Sequence, residues 1–273
     1  MFNRLRNSSR VILFIRKFAQ FFYFIQDALI LNFARLKKIG NLSSPTKIVT
    51  AADTSHFESA LQLITSIQKE SPVNEIIFYD LGLKYDEILE LKKYNVTYKK
   101  FEFENYPKFV NLSEQDAGAY AWKPQIISYE SKTFKGVLIW MDAGDLVITS
   151  LEKLKILIKH IGFYSPLSNG YVKQWTHIST LEALEIDKNI FKKRMLNAAI
   201  IGLDTENGKY VSFIEKWSNL SLQKALILPK GAGKNNHRWD QSLLTITYYQ
   251  KFQKFFFPRT HKYFGILTHQ DID

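Results

Sequence analysis

The sequence predicts an α/β fold: a mostly parallel central sheet covered by helices, preceded by a basic amphipathic helical extension. Three observations lead there. Strand-length apolar runs alternate with stretches whose apolar residues recur at helical spacing, the order that a parallel sheet with helical crossovers requires. The clearest runs are continuously apolar, as strands buried on both faces demand. The formal net charge of +11 is lopsided. Residues 1–38 hold eight basic side chains (Arg4, Arg6, Arg10, Arg16, Lys17, Arg35, Lys37 and Lys38) against one acid, Asp27, leaving +4 for the body.

The counts bound the rest. A chain of 273 residues with 46% hydrophobic and 23% charged residues is one large domain or two small ones with a packed core, which excludes wholesale disorder. It has no cysteine. That excludes disulfide scaffolds, thiolate metal sites, iron–sulfur clusters and thiol nucleophiles, and fits a reducing compartment.

Residues 1–45 read as the extension and 46–273 as the body. Within the extension, Val11 to Ile15, Phe18 to Ile25 and Ala28 to Leu31 are apolar, but Arg16-Lys17 and Gln26-Asp27 interrupt them. The longest uncharged stretch, Phe18 to Gln26, is nine residues, well short of the roughly 20 of a spanning helix. A basic pair inside the apolar region and the lack of a small-x-small site argue against a secretory signal. The extension is expected to lie in a membrane interface, apolar side chains in the acyl boundary and basic ones at anionic head groups. Packing on the protein's own core or on a second subunit is the alternative. Nucleic acid is not an expected partner, because no recognition module accompanies the charge.

In the body, Lys47 to Ala52 reads as a buried strand. Ser55 and Glu58 form a capping-box pattern ahead of a helix carrying Phe57, Ala60, Leu61, Ile64 and Ile67 on one face. Glu75 to Tyr79 is the next strand, Tyr85 to Tyr94 a short helix, and Val96 to Phe103 an alternating strand. A helix over Ala121 to Tyr129 leads into the strongest strand, Gly136 to Met141, which stops at Asp142. Thr149 and Glu152 suggest a second capping box before Leu151, Leu154, Leu157, Ile158 and Ile161. An apolar segment Ala198 to Leu203 and a helix with Tyr210, Phe213, Ile214 and Trp217 follow. Ligands of such sheets sit at the carboxyl ends of strands, here Ala52-Asp53, Asp80 and Asp142.

The sharpest local signal is Trp140-Met141-Asp142-Ala143-Gly144-Asp145, two carboxylates in a small-residue turn directly after a buried strand. Hard divalent cations take oxygen ligands and keep positions open for phosphate, and small residues let a diphosphate approach the backbone. An ordinary Asp/Gly turn with Asp145 exposed is the competing reading. The order of elements and these residues resemble GT-A-type glycosyltransferases, Rossmann-like enzymes with nucleotide-diphospho-sugar donors and a DxD motif at the end of a central strand. Asp142 matches the first acid; the second position is Gly144, and Asp145 stands one residue late. Ile76 to Leu83, Ala121-Trp122-Lys123-Pro124 and His237-Arg238-Trp239-Asp240-Gln241-Ser242 are similar to motifs of a less characterised bacterial-type branch. Leu196 to Ile201 resembles the Asn-Ala-Gly stretch of glycogenin-like and galactosyltransferase-like enzymes. The resemblance spans residues 46–250.

That resemblance implies a hexosyltransferase-type enzyme moving a sugar from a nucleotide donor to a glycan or lipid-linked acceptor, in surface polysaccharide synthesis. It would be cytoplasmic and peripheral to the inner face of the membrane. Donor-binding residues would be Thr50, Ala51, Asp53, Asp80, Trp122, Lys123, Asp142, Ala143, Gly144, Asn197, Gln241 and His237. Asp142 and Asp145 would hold Mn²⁺ or Mg²⁺. Asp142 and Lys123 would meet charge developing on the leaving diphosphate. Asp240 would be a general base in an inverting reaction, or steady an oxocarbenium-like transition state in a retaining one. Each has a plainer reading: Asp53 as a helix cap, Asp80 as a turn organiser, Lys123 as a solvated lysine, Trp122 as a core aromatic, Asp240 as an N-cap. His261 and His269 are late candidates for the metal, and His160 reads as structural. Lys230-Gly231-Ala232-Gly233-Lys234-Asn235 is not a P-loop, since Leu228 and Asn235 stand where Gly and Ser/Thr are needed; an exposed loop is expected there. The alternatives are a non-catalytic membrane-associated binding protein on the same scaffold, and a metal-dependent phosphoesterase using Asp142 and Asp145.

Overall fold

A computed structural model describes residues 44–72, 74–252 and 261–273, together with Phe18, Phe21, Phe22, Ile25, Ala28 and Leu29, which are helical. The run Asn41-Leu42-Ser43-Ser44-Pro45 reads as a linker in sequence; its first three residues and most of the extension lie outside the described residues.

Strand β1 (Thr46–Ala52) pairs in parallel with β2 (Glu75–Asp80), and β2 with β3 (Thr97–Lys100). On its other side β1 pairs in parallel with β4 (Val137–Met141). The sheet continues through an antiparallel strand, Ile200–Asp204, to a short one, Phe163–Tyr164. It is the mostly parallel α/β sheet expected, with an antiparallel edge that the apolar run at 198–203 could not distinguish. All five residues of β4 are buried, so this central strand is covered on both faces.

The helices that position the cleft are α1 (Phe57–Glu70), α2 (Tyr85–Leu91), α3 (Trp122–Thr133), α4 (Glu152–Ile161), a single turn α5 (Val172–Trp175), α6 (Gly208–Ser221) and α7 (Trp239–Lys251). One continuous core runs from Ile48 to Ile266. Neither expected capping box forms. The N–H groups of Glu58 and Ser59 at the start of α1 donate to Asp273 Oδ1 (3.0 and 3.3 Å), while Ser55 turns back to Asp53. The first amide of α4 donates to Ser150 Oγ at 3.3 Å rather than to Thr149. The strand expected over 96–103 is shorter because Phe101 leaves the sheet to stack on Tyr106, with ring centroids 4.9 Å apart.

Beneath α3 the fully buried Glu130 accepts hydrogen bonds from Lys47 (3.2 Å), Lys99 (2.5 Å) and the Tyr79 hydroxyl (2.7 Å). This network ties three strands to the helix that delivers Lys123.

Candidate active site

Three chain segments meet at the carboxyl end of β4. Asp142 is the first residue past the strand, held there by its own N–H donating to the Ala199 carbonyl at 2.9 Å. Its Oδ1 accepts from Trp140 Nε1 at 2.7 Å and from Lys123 Nζ at 2.8 Å. Lys123 comes from the first turn of α3 and is 4% exposed, so it is not the solvated lysine of the plainer reading. Its Nζ also lies 3.7 Å from Asp240 Oδ2, in the first turn of α7. Asp240 is therefore not the N-cap; Arg238 occupies that position.

Burial pulls the lysine's pKa down, but the charges of Asp142 and Asp240 outweigh it and hold Lys123 firmly protonated. Burial pushes Asp240 up to about 6, against the pull of Lys123 and helped by the Asp142 charge. Asp240 is thus ionised at neutral pH but close enough to its pKa to take up a proton, which is what a base for a hydroxyl needs.

These groups open onto a cleft of about 570 Å³, the size of a small-ligand site. Ala51, Asp53, Trp122, Lys123, Asp142, Ala143, Gly144, Asp145, Asn197, Asp240 and Gln241 all line it. Trp122 is at once core and wall: it is 7% exposed and donates through Nε1 to the Ala117 carbonyl at 3.3 Å. Three expected donor-site residues do not line the cleft, and their hydrogen bonds explain two of them. Asp80 is the turn organiser: its Oδ1 accepts from the N–H groups of Gly82 and Leu83, and its Oδ2 from Tyr98, each at 2.7 Å. His237 is buried, its Nε2–H donating to the Ile227 carbonyl (3.0 Å) and its Nδ1 accepting from His177 N–H (3.1 Å). Burial pushes its pKa down to about 4, so it stays neutral. Thr50 is fully buried within β1.

Asp145 is not exposed, as the turn reading had it; it is 1% exposed and its Oδ2 has no hydrogen-bond partner. Burial, then the charges of Asp142 and Asp271, push its pKa well above the usual carboxylate range. Asp271 arrives from a C-terminal segment that pairs Ile266–Leu267 with Leu146–Val147, donates Gln270 N–H to the Gly144 carbonyl (2.7 Å) and brings His269 into the cleft. A Cβ on Gly144 would meet the Asp271 carboxylate at 2.2 Å, so a larger residue there would push that carboxylate out of its present position.

This crowding is the test of the expected cation. The described residues do not gather three His, Asp or Glu side chains into a self-sufficient metal-holding group. Two carboxylates with substrate phosphates are what Mg²⁺ or Mn²⁺ needs, and the unpartnered Asp145 oxygen beside Asp142 and Asp271 is a deficit of positive charge. The residues fit a cation shared with a phosphorylated ligand. His261 lies outside the lining; its nearest partner is the Thr268 hydroxyl, at 3.4 Å.

Sequence reasoning missed Tyr120, Ser168, Asn169, Trp175 and Arg238, which also line the cleft. Tyr120 closes a run from Asp116 of five residues with φ between 51° and 66°, a left-handed turn in which only Gly118 is at ease. Glycine at 118 was the sole sequence signal. Arg238 stood inside a recognised motif; the other three sit in the strand Leu167–Tyr171 and in α5, which have no motif of their own.

A family model described as "Protein of unknown function (DUF1647)" matches residues 21–128, a span that includes Lys123 and stops before Asp142. A search of curated proteins finds no match. Among solved structures, the chain is similar to the WbbM bifunctional glycosyltransferase in its apo form, with 15% identity over 77% of this chain and 38% of that one, and a TM-score of 0.48. It is similar to the galactosyltransferase LgtC in complex with donor and acceptor sugar analogues (14% identity, 72% of this chain and 69% of that one, TM-score 0.47). It is also similar to core-mannan synthase A (CmsA/Ktr4) from Aspergillus fumigatus in its Mn/GDP form (10% identity, 75% and 69%, TM-score 0.47). The chain thus spans little more than a third of the first of these proteins, and its likeness to these glycosyltransferases is one of overall architecture.

Proposed function

We propose that the protein is a glycosyltransferase of the hexosyltransferase type, moving a sugar from a nucleotide-diphospho-sugar to a glycan or lipid-linked acceptor in surface polysaccharide synthesis. One observation carries the reading: Asp142, at the end of the central strand, faces a nucleotide-sized cleft while paired to a buried lysine that a second carboxylate, Asp240, also holds.

The residues divide the work. The end of β1, with Ala51 and Asp53, is where a Rossmann-like sheet seats a nucleotide. Asp142 and Asp145 would hold Mn²⁺ or Mg²⁺, which supplies Lewis-acid charge to the diphosphate. Lys123 fixes the Asp142 carboxylate and brings a permanent cation to the reacting centre, where leaving-group charge develops. Asp240 takes the acceptor proton or faces the oxocarbenium-like carbon. Gln241 and Asn197 offer hydrogen bonds to sugar hydroxyls.

The test is titration of nucleoside diphosphates with Mn²⁺, followed by donor-turnover assays. Wild type should bind at least one diphosphate and consume its sugar conjugate. Asp142→Asn should lower turnover at least about 100-fold with little change in thermal midpoint, because Asp142 is 37% exposed at its side chain. Failure of every diphosphate to bind would defeat the proposal and favour a binding protein on this scaffold. A two-metal phosphoesterase finds no second ligand cluster among the described residues.

The same proposal places the enzyme at the inner face of the membrane. No helix of the described residues is long and apolar enough to cross a bilayer. Support for an interfacial helix comes from Phe18, Phe21, Phe22, Ile25 and Leu29, each between 41% and 64% exposed, and from the basic residues around them. Deleting residues 1–38 should release the protein from anionic vesicles in flotation assays; undiminished binding would refute the anchor.

A further inference from the structure

The cleft is divided by charge. On the β1 side of Asp142 its wall carries Asp53, Asp145 and Asp271. Across Asp142, the strand Leu167–Tyr171, α5 and the start of α7 supply Ser168, Asn169, Trp175, Arg238 and Gln241, and one carboxylate, Asp240, which faces the Lys123 cation at 3.7 Å. The two walls are built by different units: Ile266–Leu267 paired with Leu146–Val147 brings Asp271 to the first, and Leu167–Tyr171 paired with Arg194–Leu196 carries Ser168 and Asn169 on the second, each a two-stranded ribbon outside the central sheet.

Arg238 is the unusual group on the second wall. Its guanidinium lies 4.2 Å from the Trp175 ring centroid, a close cation–π distance. The Arg238 N–H donates to Ser242 Oγ (2.9 Å), whose hydroxyl in turn donates to the Trp175 carbonyl (2.5 Å), so the two residues are tied through one side chain. Among the described residues no carboxylate pairs with this guanidinium and no hydrogen bond engages it. The side-chain amides of Asn169 and Gln241, on the same wall, are likewise unengaged. A half-buried arginine held flat, with its forked donors unspent beside two free amides, is built for a planar or tetrahedral oxyanion. A neutral sugar filling this wall would offer hydroxyl acceptors to the guanidinium but no opposite charge to offset its desolvation.

We infer that the wall formed by Arg238, Trp175, Asn169 and Gln241 is an acceptor subsite selecting a sugar that bears an anionic group, a carboxylate or a phosphate. The inference rests on the transferase reading, which assigns the β1 wall to the donor nucleotide.

The test uses the full chain and three probes: methyl glucuronide, glucose 1-phosphate and neutral methyl glucoside. Binding is followed by calorimetry and by quenching of tryptophan fluorescence, with and without UDP. Wild type should bind at least one charged probe about tenfold or more tighter than the neutral one, and whichever charged probe binds names the acceptor group. Arg238→Gln should erase that preference while UDP binding persists, and Arg238→Lys should restore only part of it, since an ammonium lacks the fork. Equal binding of charged and neutral probes by wild type would overturn the inference. So would an Arg238→Gln variant that loses UDP binding as severely as charged-sugar binding, which would assign the arginine to the donor. A charged preference that persists when no nucleotide diphosphate binds would uphold the anionic subsite and sink the transferase reading alone.

Discussion

Replacing Lys123 with methionine removes the one cation shared by Asp142 and Asp240 while keeping the volume of the side chain. At separations of 2.8 and 3.7 Å and an effective dielectric of about 20, each pairing is worth roughly 4–6 kcal/mol in Coulomb terms. Most of that only offsets the desolvation of a lysine that is 4% exposed. The cost of removal is instead the cost of stranding Asp240, which is 5% exposed and has no other partner for Oδ2. Removing one member of a buried pair costs about 3–5 kcal/mol, and solvent access to Asp142 places this case at the lower end.

The loss must depend on pH, with a determined sign. Asp240's folded pKa of about 6 already exceeds the ordinary 3.8, and without Lys123 it rises further. Between the unfolded and folded values the native chain holds a proton that the unfolded chain has released. Stability therefore falls as pH rises, by about 1.4 kcal/mol per unit. Urea denaturation at pH 5 and pH 8 should show a large deficit for Lys123→Met at pH 8 and a small one at pH 5. The double variant Lys123→Met/Asp240→Asn should recover much of the pH 8 deficit. An equal deficit at both pH values, or a double variant no more stable than the single one, would refute the reasoning.

Two further outcomes follow from the same electrostatics. Donor consumption should climb through a pH of about 6 as Asp240 ionises, and Asp240→Asn should remove that limb; a wild-type profile flat from pH 5 to 7 would exclude Asp240 as the base. Burial raises the pKa of Glu130, but hydrogen bonds from Lys99 and Tyr79 and the charges of Lys47 and Lys99 outweigh it and hold the carboxyl low. Its contribution is present above the ordinary 4.5 and lost as pH falls below it. Glu130→Gln should destabilise the protein by about 3 kcal/mol at pH 7 and less at pH 4, measured by urea midpoints.

What was legible in the sequence was whatever continuous burial writes into composition. The run from Val137 to Met141 could only be a covered strand, and a charged residue directly after it had to emerge at the sheet's carboxyl edge. Lys123 was found by resemblance, but its burial was not foreseeable, because a helical lysine looks the same in sequence whether it faces water or two carboxylates. The helix starts misled for a related reason. Ser55 and Thr149 carry local capping patterns, yet Asp273 reaches the first amides of α1 from across the chain and Ser150 takes the position next to Thr149. His237 sat in a motif beside Asp240, but its turn points the ring inward to two backbone partners. The wall with Trp175 and Asn169 had no motif because it is assembled by pairing of Leu167–Tyr171 with Arg194–Leu196, and long-range pairing leaves no mark on either segment alone.

The stitching of Gln270 to Gly144 and of Asp273 to Glu58, the latter pair 215 positions apart, sets a timetable for synthesis. The sheet, its flanking helices and Asp142 are all translated before the segment that walls the aspartate-rich side of the pocket. A nascent chain can consolidate its scaffold around a half-built mouth, and the ability to retain a ligand is conferred late. A chain cut short before Ile266 would keep Asp142 at the end of β4 yet lack the wall that carries His269 and Asp271.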